Sequence, residues 1–124
     1  MVIIDTNIII DHLRQTDKSE SLLTKLSLQE ASIAISRITI QEVYQGKSTC
    51  DRDKELQLRE PIEKLEVLSY SFEIAKMAGE LMRDSKKIIS FPDAAIAATA
   101  IVNDCKLLTL NKKDFENIAQ LQLV

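Results

Sequence analysis

Apolar residues recur along this chain with two different periods. Val2-Ile3-Ile4 and Ile33-Ala34-Ile35 are short unbroken runs rich in branched side chains, Val67-Leu68 is a shorter one, and residues 106–110 and 121–124 complete the set. Strands that are apolar on both faces belong in parallel sheets covered by helices on both sides. Between these runs the spacing turns helical. A helix is predicted over residues 6–13 with Asn7 as its cap, and an amphipathic one over 19–28. The Thr39-x-x-Glu42 spacing fits a capping box opening a third helix, which closes near Gly46. Residues 50–64 form a charged surface helix interrupted or restarted at Pro61. Ser71 opens a helix through Lys87 with Ile74, Met77, Ala78, Leu81 and Met82 on one face, and Pro92 stands in the first turn of another through Val102. That last segment is almost entirely Ala and Ile, so it must be central. Alternation of strands and helices predicts a three-layer α/β/α sandwich around a mainly parallel central sheet, one domain over residues 1–124.

Composition narrows the class. With 45% hydrophobic and 28% charged residues and only 2 Gly and 2 Pro, the chain reads as a compact globular protein with few long loops. No apolar run approaches the roughly 20 residues of a membrane span, and the start lacks a basic, signal-like region, so a cytoplasmic location is expected. Cys50 and Cys105 have no metal-type spacing and are expected as free thiols. A formal net charge of -3 argues against a generic nucleic-acid binder, yet suits an acidic pocket built for a divalent cation.

Four polar positions fall at strand ends or helix starts in this reading: Asp5, Glu42, Asp93 and the turn from Asn111 to Asp114. In an open α/β sheet such positions converge on one edge. Acids at helix starts also complement helix dipoles, worth about 0.3 to 1 kcal/mol each, and a capping box by itself accounts for Glu42. Together they require more. Carboxylates about 4 Å apart repel by roughly 4 kcal/mol per pair at an effective dielectric of 20, so a cluster needs protons or a cation. Oxygen donors with no Cys or His among them favour Mg2+ or Mn2+. His12, the only histidine, reads as a surface residue of the first helix; Asp11 beside it is a minor candidate. Arg83, Lys86, Lys87, Lys112 and Lys113 flank the acidic segments and are equally suited to tracking phosphates or to a solvated helix end.

Asp5-Thr6-Asn7 after a strand, Thr39-x-x-Glu42 after a second, Pro92-Asp93-Ala94-x-Ile96-Ala97-Ala98-Thr99-Ala100, and Leu108-Thr109-x-Asn111-x-x-Asp114-Phe115 together resemble the PIN-domain ribonucleases, and among them the VapC-type toxins of toxin–antitoxin modules. The resemblance spans nearly the whole chain. It implies an endoribonuclease dependent on Mg2+ or Mn2+, whose activated water hydrolyses RNA phosphodiesters to leave 5'-phosphate and 3'-hydroxyl ends. Asp5, Glu42 and Asp93 become metal-binding acids, with Asp114 as the fourth because Asn111 stands where many members have Asp. Asn111 would orient Asp114, and Thr6 and Thr109 would orient the acids, with Asn7 beside them. A cognate VapB-type antitoxin and an RNA substrate follow as partners. A homodimer is expected from the same resemblance and from the apolar excess of residues 19–28 and 71–82. Two other functions compete: a PIN fold that only binds, and a phospho-acceptor receiver domain. A receiver requires paired acids after its first strand and a phosphorylatable Asp ending a middle strand, whereas Asp51 and Asp53 of this chain lie in a polar, charged stretch.

Overall fold

The computed structural model describes all 124 residues. Strands β1 (Val2–Ile4), β2 (Ile33–Ser36), β3 (Glu66–Leu68) and β4 (Lys106–Leu108) form one parallel sheet in the order β3-β2-β1-β4. The predicted closing strand at 121–124 contributes a single parallel bridge, Leu123 to Leu107, held by two backbone hydrogen bonds of 2.9 Å. Six helices cover the sheet: α1 (Thr6–Arg14), α2 (Leu22–Ser27), α3 (Arg37–Tyr44), α4 (Arg52–Ile62), α5 (Phe72–Asp84) and α6 (Phe91–Val102).

The strands show why both their faces are apolar. Ile3, Ala34 and Leu107 point into a core shared with α5 and α6, while Val2, Ile4 and Ile35 point into a second core with Ile8 and Ile9 of α1, Leu23 and Leu26 of α2, Val43 of α3 and Leu58 of α4. This is the expected three-layer sandwich. Helix α6 lies against the sheet through seven consecutive buried residues, Ala94 to Ala100. Its end is marked by Asp104 at a φ of 52°, with Cys105 N–H reaching back to the carbonyl of Ala100 at 2.9 Å and Asp104 N–H to Ile101 at 3.1 Å. That left-handed cap turns the chain directly into β4.

Several boundaries differ from expectation for local reasons. Residues 19–28 do not form one helix: a 3-10 turn at Lys18–Glu20 comes first, and the buried hydroxyl of Ser21 accepts from Thr24 N–H to start α2. Pro61 does not break α4, because it sits in the last turn, where its missing N–H strips only the carbonyl of the exposed Gln57. Helix α5 stops at Asp84, short of Lys87.

The sheet order places the functional edge. From β1 the chain moves across to β2 and β3; after α5 and α6 it returns to the opposite side of β1 as β4. The connections therefore diverge at the carboxyl ends of β1 and β4, where open α/β sheets present a crevice.

Candidate active site

Asp5 follows β1 directly at that crevice and is only 6% exposed. Its backbone N–H donates to the Leu108 carbonyl of β4 at 2.9 Å, which registers the residue against the neighbouring strand. One carboxyl oxygen accepts from Thr6 N–H at 2.7 Å; the other accepts from the Thr109 hydroxyl at 2.7 Å and from the Asn7 side-chain amide at 3.2 Å. Asp5 is thus the cap of α1, a role the sequence suggested for Asn7. Asn7 instead ties the two ends of the crevice together. Its amide also lies 3.4 Å from the Thr109 hydroxyl, and its side-chain oxygen accepts from Leu110 N–H at 3.3 Å.

Glu42 arrives from α3. The expected capping box does not form, because β2 runs straight into the helix and Ser36 caps it, accepting from Ile38 N–H at 3.2 Å. Thr39 therefore lies inside the first turn, fully buried, and Glu42 sits beyond any helix-start position. Helix capping no longer explains this carboxylate. Its partner is the Thr6 hydroxyl, which donates to Oε1 at 2.6 Å and lies 3.2 Å from the Thr39 hydroxyl. Two threonines thus fix the acids from opposite sides, Thr6 on Glu42 and Thr109 on Asp5.

Asp93 is half-buried in the first turn of α6, where its backbone N–H donates to the Ser90 hydroxyl at 3.2 Å. Burial pushes its carboxyl above the ordinary value of 3.8; the Ser90 hydroxyl opposes this, and the charges of Asp5, Asp114 and Glu42 add to the rise. Asp5 is raised too, first by burial, against hydrogen bonds from Thr109 and Thr6, with Asp114 adding to it. Asp93 therefore feels the charges of the other three predicted acids, and Asp5 feels that of Asp114. No three of them stand close enough together to hold a metal ion between them. An open set of oxygen donors suits Mg2+ or Mn2+, which retain several waters and take only one or two carboxylates.

Residues 2–121 match the PIN domain family. The chain is 36% identical over 126 aligned positions to ribonuclease VapC19 of Mycobacterium tuberculosis, spanning 98% of each chain. It is 30% identical to ribonuclease VapC2 of Rickettsia felis, spanning 97% of this chain and 93% of that one. The chain belongs to the PIN-domain family, in its VapC branch. Solved structures agree. VapBC2 of Rickettsia felis bound to a promoter DNA fragment superposes with a TM-score of 0.81 at 27% identity, over 100% of this chain and 98% of that one. A toxin–antitoxin complex of Klebsiella pneumoniae gives 0.75 at 31% identity, over 98% and 95% of the two chains.

Other candidates sort clearly within this PIN fold. Asn111 does not orient Asp114 through its side chain; its carbonyl accepts from Asp114 N–H at 3.0 Å, and its own N–H donates to Thr109 at 3.0 Å. The turn is local backbone structure, which leaves Asp114 exposed at the rim. Asp11 points away and accepts from Leu22 N–H at 3.2 Å and the Gln15 amide at 3.2 Å. His12 lies 2.7 Å from the Ser21 hydroxyl; burial and then Lys18 lower its pKa, and it takes no part in the acidic cluster. Arg83 is forked onto Asp84 at 2.8 and 2.9 Å, so it is not free for phosphate. Lys87 and Lys113, by contrast, line a cavity of about 240 Å3 with Asp114. Ser90 was missed in the sequence, although Ser-x-x-Asp ahead of an apolar run is a helix-start signature. Cys50 is exposed and Cys105 buried, both free.

Proposed function

We propose that this chain is a Mg2+- or Mn2+-dependent endoribonuclease acting as the toxin of a toxin–antitoxin pair in the cytoplasm. The observation that supports the reading is that Asp93, at the start of α6, feels the charges of Asp5, Asp114 and Glu42, while burial raises both Asp93 and Asp5. A carboxylate cluster of this kind is stable when charge is supplied from outside. Asp5 and Asp93, with Glu42 and Asp114 acting directly or through water, would hold a divalent cation, which when bound would supply a water reactive at neutral pH and charge to offset that of the phosphodiester. The chain itself orients the donors. Thr6 holds Glu42, while Thr109, Asn7 and Thr6 N–H hold Asp5. Lys87 and Lys113 stand beside Asp114 to bind phosphate. Water adds to phosphorus, the P–O3' bond breaks, and the products are a 5'-phosphate and a 3'-hydroxyl. A paired-imidazole route has no second histidine to use.

Relatives solved as toxin–antitoxin complexes support a VapB-type partner for this chain. An acidic pocket attracts an Arg or Lys of that partner, and the net charge of -3 favours a basic one. A homodimer is also proposed. Leu23 and Leu26 of α2 are used up in the domain's own core, whereas Leu28 and Met82 stay exposed; the most exposed aromatic and β-branched apolar side chains are Phe72 at 83%, Ile88, fully exposed, and Phe91 at 60%.

Partner-free protein incubated with RNA in EDTA, Mg2+ or Mn2+ tests the reading. Cleavage to 5'-phosphate ends is expected only with metal and not from Asp93→Asn. A folded parent that binds RNA but cuts none with either metal leaves the binding-module function in its place.

A further inference from the structure

A second cavity, of about 480 Å3, opens between α1, α3 and α4, and Glu42 forms part of its wall. Its volume is that of a small-ligand site. Ile10 and Leu13 supply an apolar surface, Gln57 an amide, and Arg14 and Lys54 two positive charges. Five of the 16 basic side chains hold carboxylates: Lys25, Arg59, Lys64, Lys76 and Arg83. Arg14 and Lys54 hold none, although the chain carries more acids than bases.

We propose that this cavity is a nucleotide subsite that holds the RNA residue next to the scissile phosphodiester. The inference rests on the ribonuclease function above. The shared Glu42 makes the cavity continuous with the place of cleavage, so a strand whose phosphate lies on the acids delivers its neighbouring nucleotide here. Arg14 matches phosphate geometry with its planar fork, and Lys54 adds a point charge. Ile10 and Leu13 offer a surface to the flat face of a base, and the Gln57 amide both donates and accepts toward a base edge. Charge selects RNA over the antitoxin as occupant. A partner segment basic enough to seek the acidic pocket is repelled by two free cations, whereas every nucleotide brings a negative charge.

The test uses the full chain with Mg2+ and a single-stranded RNA oligonucleotide containing a cleavage site. Arg14→Gln and Lys54→Gln together should raise KM on the order of ten-fold while kcat stays within about two-fold, because cations on phosphates position the substrate. The slope of log kcat/KM against log salt should become shallower by about 0.7 for each phosphate charge that the variant no longer neutralises. Gln57→Ala should change the preference among the four bases at the flanking position and leave the salt slope unchanged. Arg14, Lys54 and Gln57 are exposed, so unchanged melting curves should accompany these effects. If the parent cleaves RNA and the double variant matches it in KM and salt slope, the subsite is overturned while the ribonuclease stands. Normal RNA kinetics with weakened binding of purified antitoxin would assign the cavity to the protein partner and also overturn it. A parent that cleaves no RNA overturns both conclusions.

Discussion

Asp93 is held above its ordinary carboxyl range by burial and by the charges of Asp5, Asp114 and Glu42, which fixes the sign of its contribution to stability. A raised folded-state value means that the folded protein binds the proton more tightly than the unfolded chain. Its stabilising effect is complete below the ordinary value of 3.8 and is lost as pH rises through the raised one. In EDTA the parent should therefore lose stability over that window, and Asp93→Asn should lose less and be at least as stable at neutral pH. Metal reverses the order. At about 100 times its dissociation constant Mg2+ should stabilise the parent by roughly 2.7 kcal/mol and the variant by much less. For a domain of this size that is a melting shift on the order of 10 °C. Melting both proteins across pH and across a metal titration checks the crossing; equal metal shifts in the two would remove Asp93 from the ligand set. Thr6→Val keeps the side chain's shape and deletes the hydroxyl donated to Glu42. Loss of such an orienting group should lower metal affinity or cleavage by about 10- to 100-fold. The metal dependence of the cleavage rate measures it, with circular dichroism verifying an unchanged fold.

Two helices on the same face of the sheet show opposite tolerance to added volume. In α6 the residues from Ala94 to Ala100 are wholly buried, so Ala97→Leu overpacks a filled core and should cost about 1 to 3 kcal/mol. In α5 a methyl group built on Gly79 meets nothing within 4 Å, and the residue is exposed. Gly79→Ala should stabilise by about 0.5 to 1 kcal/mol by reducing the freedom of the unfolded chain. Urea midpoints of the two variants should move in opposite directions from the parent. The contrast explains the Ala-rich sequence of α6: only small side chains let it lie close enough to the sheet to bring Asp93 to the crevice.

For the whole molecule, Phe72, Ile88 and Phe91 leave apolar side chains at or beside the two ends of the α5–α6 pair exposed to water. Pairing of two copies about a two-fold axis covers them, and light scattering at micromolar concentration should report a dimer. Ile88→Asp with Phe91→Asp should shift it to monomer; a parent that is already monomeric would show that these side chains serve another partner.

Periodicity in the sequence was enough for the layers of this protein. Both-face apolar strands, an amphipathic α5 and an apolar α6 admit little besides helices on either side of a parallel sheet, because each buried face is written in its own local segment. Asp5 and Asp93 were equally legible, since each interrupts an apolar run at an element boundary. The remainder depended on interactions between segments far apart. Thr39-x-x-Glu42 looked locally complete as a capping box, and only the direct passage from β2 into α3, with Ser36 as cap, freed Glu42 for the site. Its real partner is Thr6, 36 residues away. Asn7 looked like a cap and became a tie to Thr109 and Leu110 across two parallel strands. Arg14 and Lys54, unremarkable in their own helices, were joined to Glu42 by packing alone. A side chain's own segment encodes whether it is buried; the order β3-β2-β1-β4, a product of non-local pairing, decides which side chains it meets.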